Sequence, residues 1–308
     1  MTKSSGRYAD QSPNPSDRSG SRKLGVGLYI VSTPIGNLAD LTFRARDTLA
    51  TADLVLCEDT RVTARLLAAY QIKRPTVAYH DHNAAAVRPR VLAALAEEKS
   101  VALCSDAGTP LVSDPGFKLV RAVIEAGHEV IPIPGASAPL AALVTSGLPT
   151  DQFTFRGFLP VRGRARKTVI EQCVSSATTT ILFERASRLD TTLADLSAAM
   201  ADRGAAVARE LTKAFETVQR GRLSELQDRF AGQGSVKGEI VIVIGPGPSA
   251  AEWSDEKIDR MIEDALDEQS TSQAARSVAG ATGRPKRDIY QRAVELSRRR
   301  AAADTDEP

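Results

Sequence analysis

Val101-Ala-Leu-Cys-Ser-Asp-Ala-Gly-Thr-Pro-Leu-Val-Ser-Asp-Pro-Gly116 decides the fold. It opens as a short strand, Val101–Ser105, with no room for a helix. Two Asp, two Gly and two Pro follow within eleven residues, which fixes an unusual backbone and sets carboxylates and amides at the strand's carboxyl end. Phe117–Ala126 then shows helical periodicity and stops at Gly127, a residue suited to the left-handed turn after a helix. Glu129–Ile133 is apolar again. Strand, polar loop, helix, glycine and strand make the repeating unit of a parallel sheet. Outward from this unit the grammar repeats. Strands are expected at Leu28–Ser32, Leu54–Glu58 and Thr76–Tyr79, with amphipathic helices at Thr42–Ala50, Arg61–Ala69 and Val87–Glu97. The expected fold class is therefore α/β, with a mainly parallel, doubly wound first domain over residues 26–138.

Pro132-Ile-Pro-Gly-Ala-Ser-Ala-Pro139 suits neither strand nor helix and reads as an ordered linker or functional loop. A second α/β domain is expected over 139–248, with strands at Phe153–Gly157, Thr180–Phe183, Ala206–Arg209 and Glu239–Ile244 and helices near 165–175, 188–202 and 222–230. Pro246-Gly-Pro248 closes it. Residues 254–301 look wholly helical. Within them Thr271–Ala293 reads as two short helices: Ala274, Ala275, Val278 and Ala279 face inward on the first, Gly283 and Pro285 make the turn, and Ile289, Tyr290 and Ala293 face inward on the second. That is helix-turn-helix grammar, or an ordinary helical hairpin. Residues 1–25, rich in Ser, Gly, Asp, Arg and Pro, bury too little to offset the entropy of ordering and are expected to be a disordered tail.

Hydrophobic residues make up 42% of the 308, enough for real cores, and the net charge of +2 leaves nucleic-acid binding to local clusters. No apolar run approaches bilayer length, so no membrane partner is expected. Cys57, Cys104 and Cys173 share no metal-like spacing and sit in or beside apolar runs. They read as buried reduced thiols, and with no signal-peptide pattern they point to the cytoplasm.

Several constellations can carry chemistry. Ser32-Thr-Pro-Ile-Gly-Asn-Leu38 follows the first strand, at the edge where open α/β sheets bind ligands, but lacks the dinucleotide fingerprint. Asp106 can accept hydrogen bonds from a ligand; Asp114 either joins it or caps the following helix. Glu58-Asp-Thr-Arg61 is a substrate-binding cluster or a helix start with an acidic first turn. Tyr79-His-Asp-His-Asn83 lacks a third ligand motif, so substrate contact or loop hydrogen bonding is expected there and no metal. Arg209, Glu210, Lys213 and Glu216 fall close together as an acid–base or RNA-contacting cluster, or a solvated face. Arg156-Gly-Phe-Leu-Pro-Val-Arg-Gly-Arg-Ala-Arg-Lys167, flanked by Phe153 and containing Phe158 beside Phe155, suits a phosphate backbone with base stacking, or is a solvated loop.

Together these stretches resemble the tetrapyrrole-methylase (class III) superfamily and, within it, the bacterial 16S ribosomal RNA cytidine 2′-O-methyltransferases. The likeness spans about residues 27–300, and Ser105–Gly116 and Gly147–Pro160 are its specific parts. It implies two α/β domains of the tetrapyrrole-methylase type with a C-terminal helix-turn-helix-like appendage, S-adenosyl-L-methionine bound in the cleft between the domains, and a homodimer. The donor would touch Pro34 to Gly36, the loop of Asp106, Ala107, Gly108 and Thr109, and Gly135, Ala136 and Ser137. The substrate would be a ribose 2′-hydroxyl of a cytidine in 16S rRNA of the small ribosomal subunit. Asp106 or Glu184 would accept or position that hydroxyl, with Lys213 or Arg61 steadying the neighbouring phosphate. RNA contacts would come from Arg61, His80, Arg162, Arg164, Arg166, Lys167, Lys286 and Arg287. The chain departs from the family pattern at Phe183-Glu-Arg-Ala-Ser-Arg188, where Arg185 replaces a small residue and Ser187 a His. The competing readings are a tetrapyrrole C-methyltransferase of the same fold and a non-catalytic nucleic-acid-binding regulator.

Overall fold

The computed structural model describes residues 23–231, 237–247, 254–282 and 284–303. The expected tail up to residue 22, Gly283 of the expected turn and Pro248 lie outside the described residues. The chain divides into two compact units, Met1–Ser137 and Ala138–Pro308, so the boundary falls inside the expected linker.

The first unit alternates β1 (Gly27–Val31), α1 (Phe43–Thr51), β2 (Leu54–Cys57), α2 (Thr60–Ala69), β3 (Thr76–Ala78), α3 (Ala84–Ala96), β4 (Ser100–Cys104), α4 (Phe117–Glu125) and β5 (Val130–Ile133). All pairings are parallel, in the order β3-β2-β4-β1-β5. The period-2 alternation of strands explains the two cores. Tyr29, Val31, Val55, Cys57, Ala102 and Cys104 point to the α1 and α2 side, where Ala45, Leu49 and Leu67 meet them. Leu28, Leu56, Val101 and Leu103 point the other way, onto Val91, Leu95, Leu119 and Val123 of α3 and α4. β4 is buried along its whole length because it is paired on both edges and covered on both faces. The chain leaves β1 for β2 in one direction and leaves β4 for β5 in the other. The carboxyl ends of the adjacent strands β1 and β4 therefore flank a topological switch point, where sheets of this kind open a crevice for ligands.

The second unit begins with α5 (Ala138–Ser146), which sequence reading placed at the end of a linker. Pro139 sits in its first turn, where a missing N–H breaks no helical hydrogen bond. There follow β6 (Phe153–Phe158), α6 (Gly163–Val174), β7 (Thr179–Arg185), α7 (Leu189–Met200), β8 (Gly204–Arg209), β9 (Thr217–Arg222), α8 (Leu223–Phe230) and β10 (Glu239–Ile244). The sheet order is β6-β7-β10-β8-β9, with β6–β7 parallel and the other pairs antiparallel. β9 was not anticipated: Thr-Val-Gln-Arg-Gly-Arg is an edge strand with almost no apolar face. One face of this sheet carries the core of Leu182, Val207, Ile240, Ile242 and Ile244 beneath α6, α7 and α8.

At the C-terminal end α9 (Asp255–Glu268), α10 (Thr271–Thr282) and α11 (Lys286–Ala303) share a core of Ile258, Ile262, Ala275, Val278, Ile289, Ala293 and Leu296. Two details of the sequence reading are corrected. Tyr290 is 44% exposed rather than inward, and α11 runs for 18 residues rather than forming a short helix. No helix among the described residues is long and apolar enough to cross a membrane. Cys57, Cys104 and Cys173 are all buried and unpaired, and burial pushes the Cys104 thiol up to about 12.

Candidate active site and RNA-contacting surfaces

Three loops of the first unit, each expected to meet the methyl donor, are knit together. Thr33 and Gly108 exchange backbone hydrogen bonds of 2.8 and 3.1 Å, closing a one-residue antiparallel bridge between the loops after β1 and β4. The Ser32 and Thr109 hydroxyls lie 3.0 Å apart, Thr109 Oγ1 donates to the Ala136 carbonyl at 3.2 Å, and Thr33 Oγ1 donates to the Ser105 carbonyl at 3.1 Å. Gly108 holds φ +85° with Ile35 beside it, and a Cβ on Gly135 would stand 2.9 Å from the Ser32 Cβ. Pro34 and Gly108 are buried in this knot, while Gly36, Ala107 and Gly135 are exposed and Asp106, Thr109, Ala136 and Ser137 half-buried. Leu111 and Ser113 take φ +72° and +66°, so the loop after β4 stores the backbone strain that collects at functional sites.

Carboxylates gather at the same strand ends. The register Cys57↔Cys104 sets Glu58 beside the loop that starts at Ser105. Asp106 accepts a hydrogen bond from the Asp59 N–H at 3.0 Å. Burial, then the charges of Asp114, Asp106, Asp81 and Asp59, holds Glu58 above the usual carboxylate range. Burial raises Asp106 and Asp114 as well. Crowded, partly desolvated carboxylates are poorly neutralised, so a cationic sulfonium and ammonium suit this rim. Asp59 behaves otherwise. It caps α2 and pairs with Arg61 at 2.6 Å, and these hydrogen bonds hold it at about 2. The helix-start reading thus accounts for Asp59, while the Arg61 guanidinium stays 85% exposed. Asp114 does not cap α4. The N-cap is Gly116 at φ +137°, and no side chain caps the helix.

The His80–Asn83 loop is closed by Asn83, which accepts from the His80 N–H at 2.9 Å and donates to the Ala78 carbonyl at 2.8 Å. His80 Nδ1 is buried without a hydrogen-bond partner among the described residues. No group of three or more His, Cys, Asp or Glu among the described residues is arranged to hold a metal ion.

In the second unit two expectations are corrected. Glu184 is fully buried: Oε1 accepts from Arg188 Nε at 2.8 Å and the Arg185 N–H at 2.7 Å, and Oε2 from Thr192 at 2.6 Å. Its oxygens are saturated by neighbours, so it is placed to hold structure rather than to receive a substrate proton. Arg166, expected on RNA, is 7% exposed and donates to Asp195, Thr192 and the Pro160 carbonyl. Apolar residues on its helix pull this face inward, and the two ion pairs meet at Thr192. Arg162, Arg164 and Lys167 remain exposed, as do Arg185 and Ser187 of the family departure. A bulge before Phe158 turns it toward Phe183, 5.4 Å away, with Phe155 at 4.9 Å. Lys213 is bonded to Glu210 at 2.9 Å and Glu239 at 3.2 Å. In the appendage Arg292 ties α11 to Asp259 and Asp255 of α9, leaving Lys286 and Arg287 exposed.

A protein-family model for Tetrapyrrole (Corrin/Porphyrin) Methylases matches residues 27–227, and one for the RsmI C-terminal HTH domain matches residues 251–297. A Mesorhizobium japonicum protein named Ribosomal RNA small subunit methyltransferase I is 50% identical, over 89% of this chain and 94% of its own length. The chain belongs to this family. Its relative of the same name in Synechocystis sp. is 45% identical, over 87% and 98% of the two chains. Solved structures of more distant proteins share the fold. Diphthine synthase superposes with TM-score 0.57 at 20% identity, covering 71% of this chain and 89% of that one. A cobalt precorrin-4 methyltransferase gives 0.53 at 19%, covering 77% and 98%. The family's two-part make-up agrees with the α/β fold and helical appendage read from sequence.

Proposed function

We propose that this chain transfers a methyl group from S-adenosyl-L-methionine to the ribose 2′-hydroxyl of a cytidine in 16S rRNA, on the small ribosomal subunit, in the cytoplasm and as a homodimer. The observation that carries the reading is the family membership over most of the chain, with the knotted loops at Thr33, Gly108 and Ala136 standing at the switch point of the first sheet. A structural relative, a uroporphyrin-III C-methyltransferase, is described in complex with S-adenosyl homocysteine, which supports the choice of donor.

When bound, S-adenosyl-L-methionine supplies an electrophilic methyl group on a sulfonium. The chain's part is to orient and to take a proton. Exposed backbone at Gly36, Ala107 and Gly135 permits close approach, and the acidic rim complements positive charge. Asp106, raised by burial, is the proposed proton acceptor for the 2′-hydroxyl, and a raised carboxylate is a better base than an ordinary one. Arg61, Arg162, Arg164, Lys167, Lys286 and Arg287 supply exposed cations for phosphates, with His80 beside the rim. Exposed Phe117 and Ile124 on α4 are apolar surface that a second copy would cover.

The test is incorporation of labelled methyl groups into small subunits from a strain lacking the enzyme, mapped by mass spectrometry, beside an assay on a precorrin. Methyl transfer to the precorrin but not to the subunits would overturn the reading.

A further inference from the structure

Phe155, Phe158 and Phe183 share the face of the second sheet turned away from the core beneath α6, α7 and α8. Side chains alternate along a strand, so Phe153 and Phe155 lie on one face of β6, and Phe183 and Arg185 on one face of β7. Leu182 and Glu184 point the other way. Phe158 stands an odd number of residues from Phe155 and in a regular strand would face the core side. The register shift between them, with Gly157 at φ +63°, admits one extra residue. Phe155 therefore pairs with Ile181 and Phe158 with Phe183. Phe183 meets Phe155 edge to face at 4.9 Å and Phe158 at 5.4 Å, separations at which rings hold one another. Phe158 is thus propped by a second ring although it is 51% exposed. α5 packs over β7, β8 and β10, while Phe153 and Phe158 of β6 stay open to solvent.

The charge beside these rings has one sign. From Phe153 to Ile170 the chain carries five cations and no carboxylate. Arg166 is engaged by Asp195 and Arg156 by Gln172, but Arg162 and Arg164, which follow Phe158 closely, are exposed. Arg185, two residues past Phe183, is exposed as well. Glu239 lies opposite Arg185 on β10, and its carboxylate is bonded to Lys213; Glu184 is held by Arg188. Flat rings strung on phosphates answer both features, an aromatic surface and unanswered guanidinium groups. S-adenosyl-L-methionine offers a base but no phosphate, so the cations fit the RNA rather than the donor.

We propose that the β6–β7 edge of the second sheet is the base-stacking wall of the RNA site: Phe158, propped by Phe183, covers an unpaired nucleobase of the substrate while Arg162, Arg164 and Arg185 meet the flanking phosphates. A ring already held by its neighbour forfeits little conformational freedom on stacking.

This inference deepens the RNA-methylating reading and rests on it, and the experiment separates the two. Steady-state methyl transfer to small subunits lacking the modification is measured for the wild type, F158A, F158L, F158Y and R185A over a series of salt concentrations, with S-adenosyl-L-methionine affinity and thermal unfolding recorded for each. Loss of one base–aromatic stack lowers kcat/KM for the subunit about 5- to 150-fold in F158A and F158L, mainly through KM. F158L keeps apolar packing against Phe183, so its unfolding temperature and donor affinity hold, and F158Y, which returns the ring face, restores most of the loss. R185A flattens the log–log salt dependence of kcat/KM by roughly 0.7, the share of one phosphate on a single strand. Wild-type behaviour of F158L overturns the stacking role, as does a loss that F158Y leaves unrepaired. An equal loss of donor affinity also overturns it and assigns the ring to the donor. An unchanged salt slope in R185A removes that arginine from the RNA surface. All of these outcomes leave the wild type active on the subunit; a wild type that leaves the subunit unmethylated defeats the functional reading itself, and the wall with it.

Discussion

Replacing Glu184 separates a structural carboxylate from a catalytic one. The side chain has no exposed surface, Arg188 is only 21% exposed, and Thr192 passes the hydrogen-bond chain on to Arg166. Glu184→Ala leaves Arg188, the Arg185 N–H and the Thr192 hydroxyl without their acceptor. Breaking a buried pair costs about 3–5 kcal/mol, and the limited access of Arg188 to water favours the lower end. For a unit of this size about 3 kcal/mol lowers the unfolding temperature by roughly 6–12 °C. Glu184→Gln keeps an acceptor for Thr192 but loses the charge, a loss of about 1–2 kcal/mol or roughly 2–8 °C. The assay pairs thermal unfolding with methyl transfer measured well below both midpoints. Folded E184Q is expected to retain kcat within about threefold, a barrier change below ~0.7 kcal/mol. An unchanged midpoint with abolished turnover would refute the structural assignment and return this carboxylate to the reacting hydroxyl.

The other site residues give sharper contrasts in pairs. Gly135→Ala sets a methyl 2.9 Å from the Ser32 Cβ and pries the loops apart, so donor affinity by calorimetry should fall by about tenfold or more; an unaltered Kd would detach this loop from the donor site. Glu58 is raised in the folded state by burial and four neighbouring carboxylates, so the stability linked to its proton is present in acid and lost as pH rises through the folded value. Glu58→Gln should therefore unfold at a higher temperature than wild type at pH 7, with the gap closing on acidification below the ordinary carboxylate range; a gap that widens in acid contradicts the assigned cause. Arg166→Ala should lose about 1.5–3 kcal/mol of stability through its charged hydrogen bonds. Arg164→Ala should leave the unfolding midpoint alone and flatten the salt dependence of subunit binding by roughly 0.7–0.9 in log–log slope. If the two arginines exchange these phenotypes, the division between buried and RNA-facing cations is wrong.

The doubly wound first sheet was legible because each strand and helix there announces itself locally. Glycines, prolines and apolar periodicity bracket every element, and parallel strands buried on both faces cannot hide in composition. β9 and α5 escaped notice for the opposite reason. An edge strand needs only backbone pairing, and Pro139 in a helix's first turn looks like a breaker until the missing N–H proves unneeded. The antiparallel pairings of the second sheet likewise depend on which strands meet, a matter of residues far apart in the chain.

Sequence alone determined the alternation of elements, the loops proposed to hold a donor and the family they resemble, since those follow from residues near one another. Tertiary structure decided which charges are spent inside the protein and which face outward. Arg166 and Arg164 stand two residues apart in one basic run, yet one is buried against Asp195 and Thr192 and the other is exposed. Glu58 and Asp106 are separated by most of two βα units and become neighbours only because β2 and β4 pair in register. Electrostatics depends on distance and on the surrounding dielectric, and neither is defined until the chain has folded.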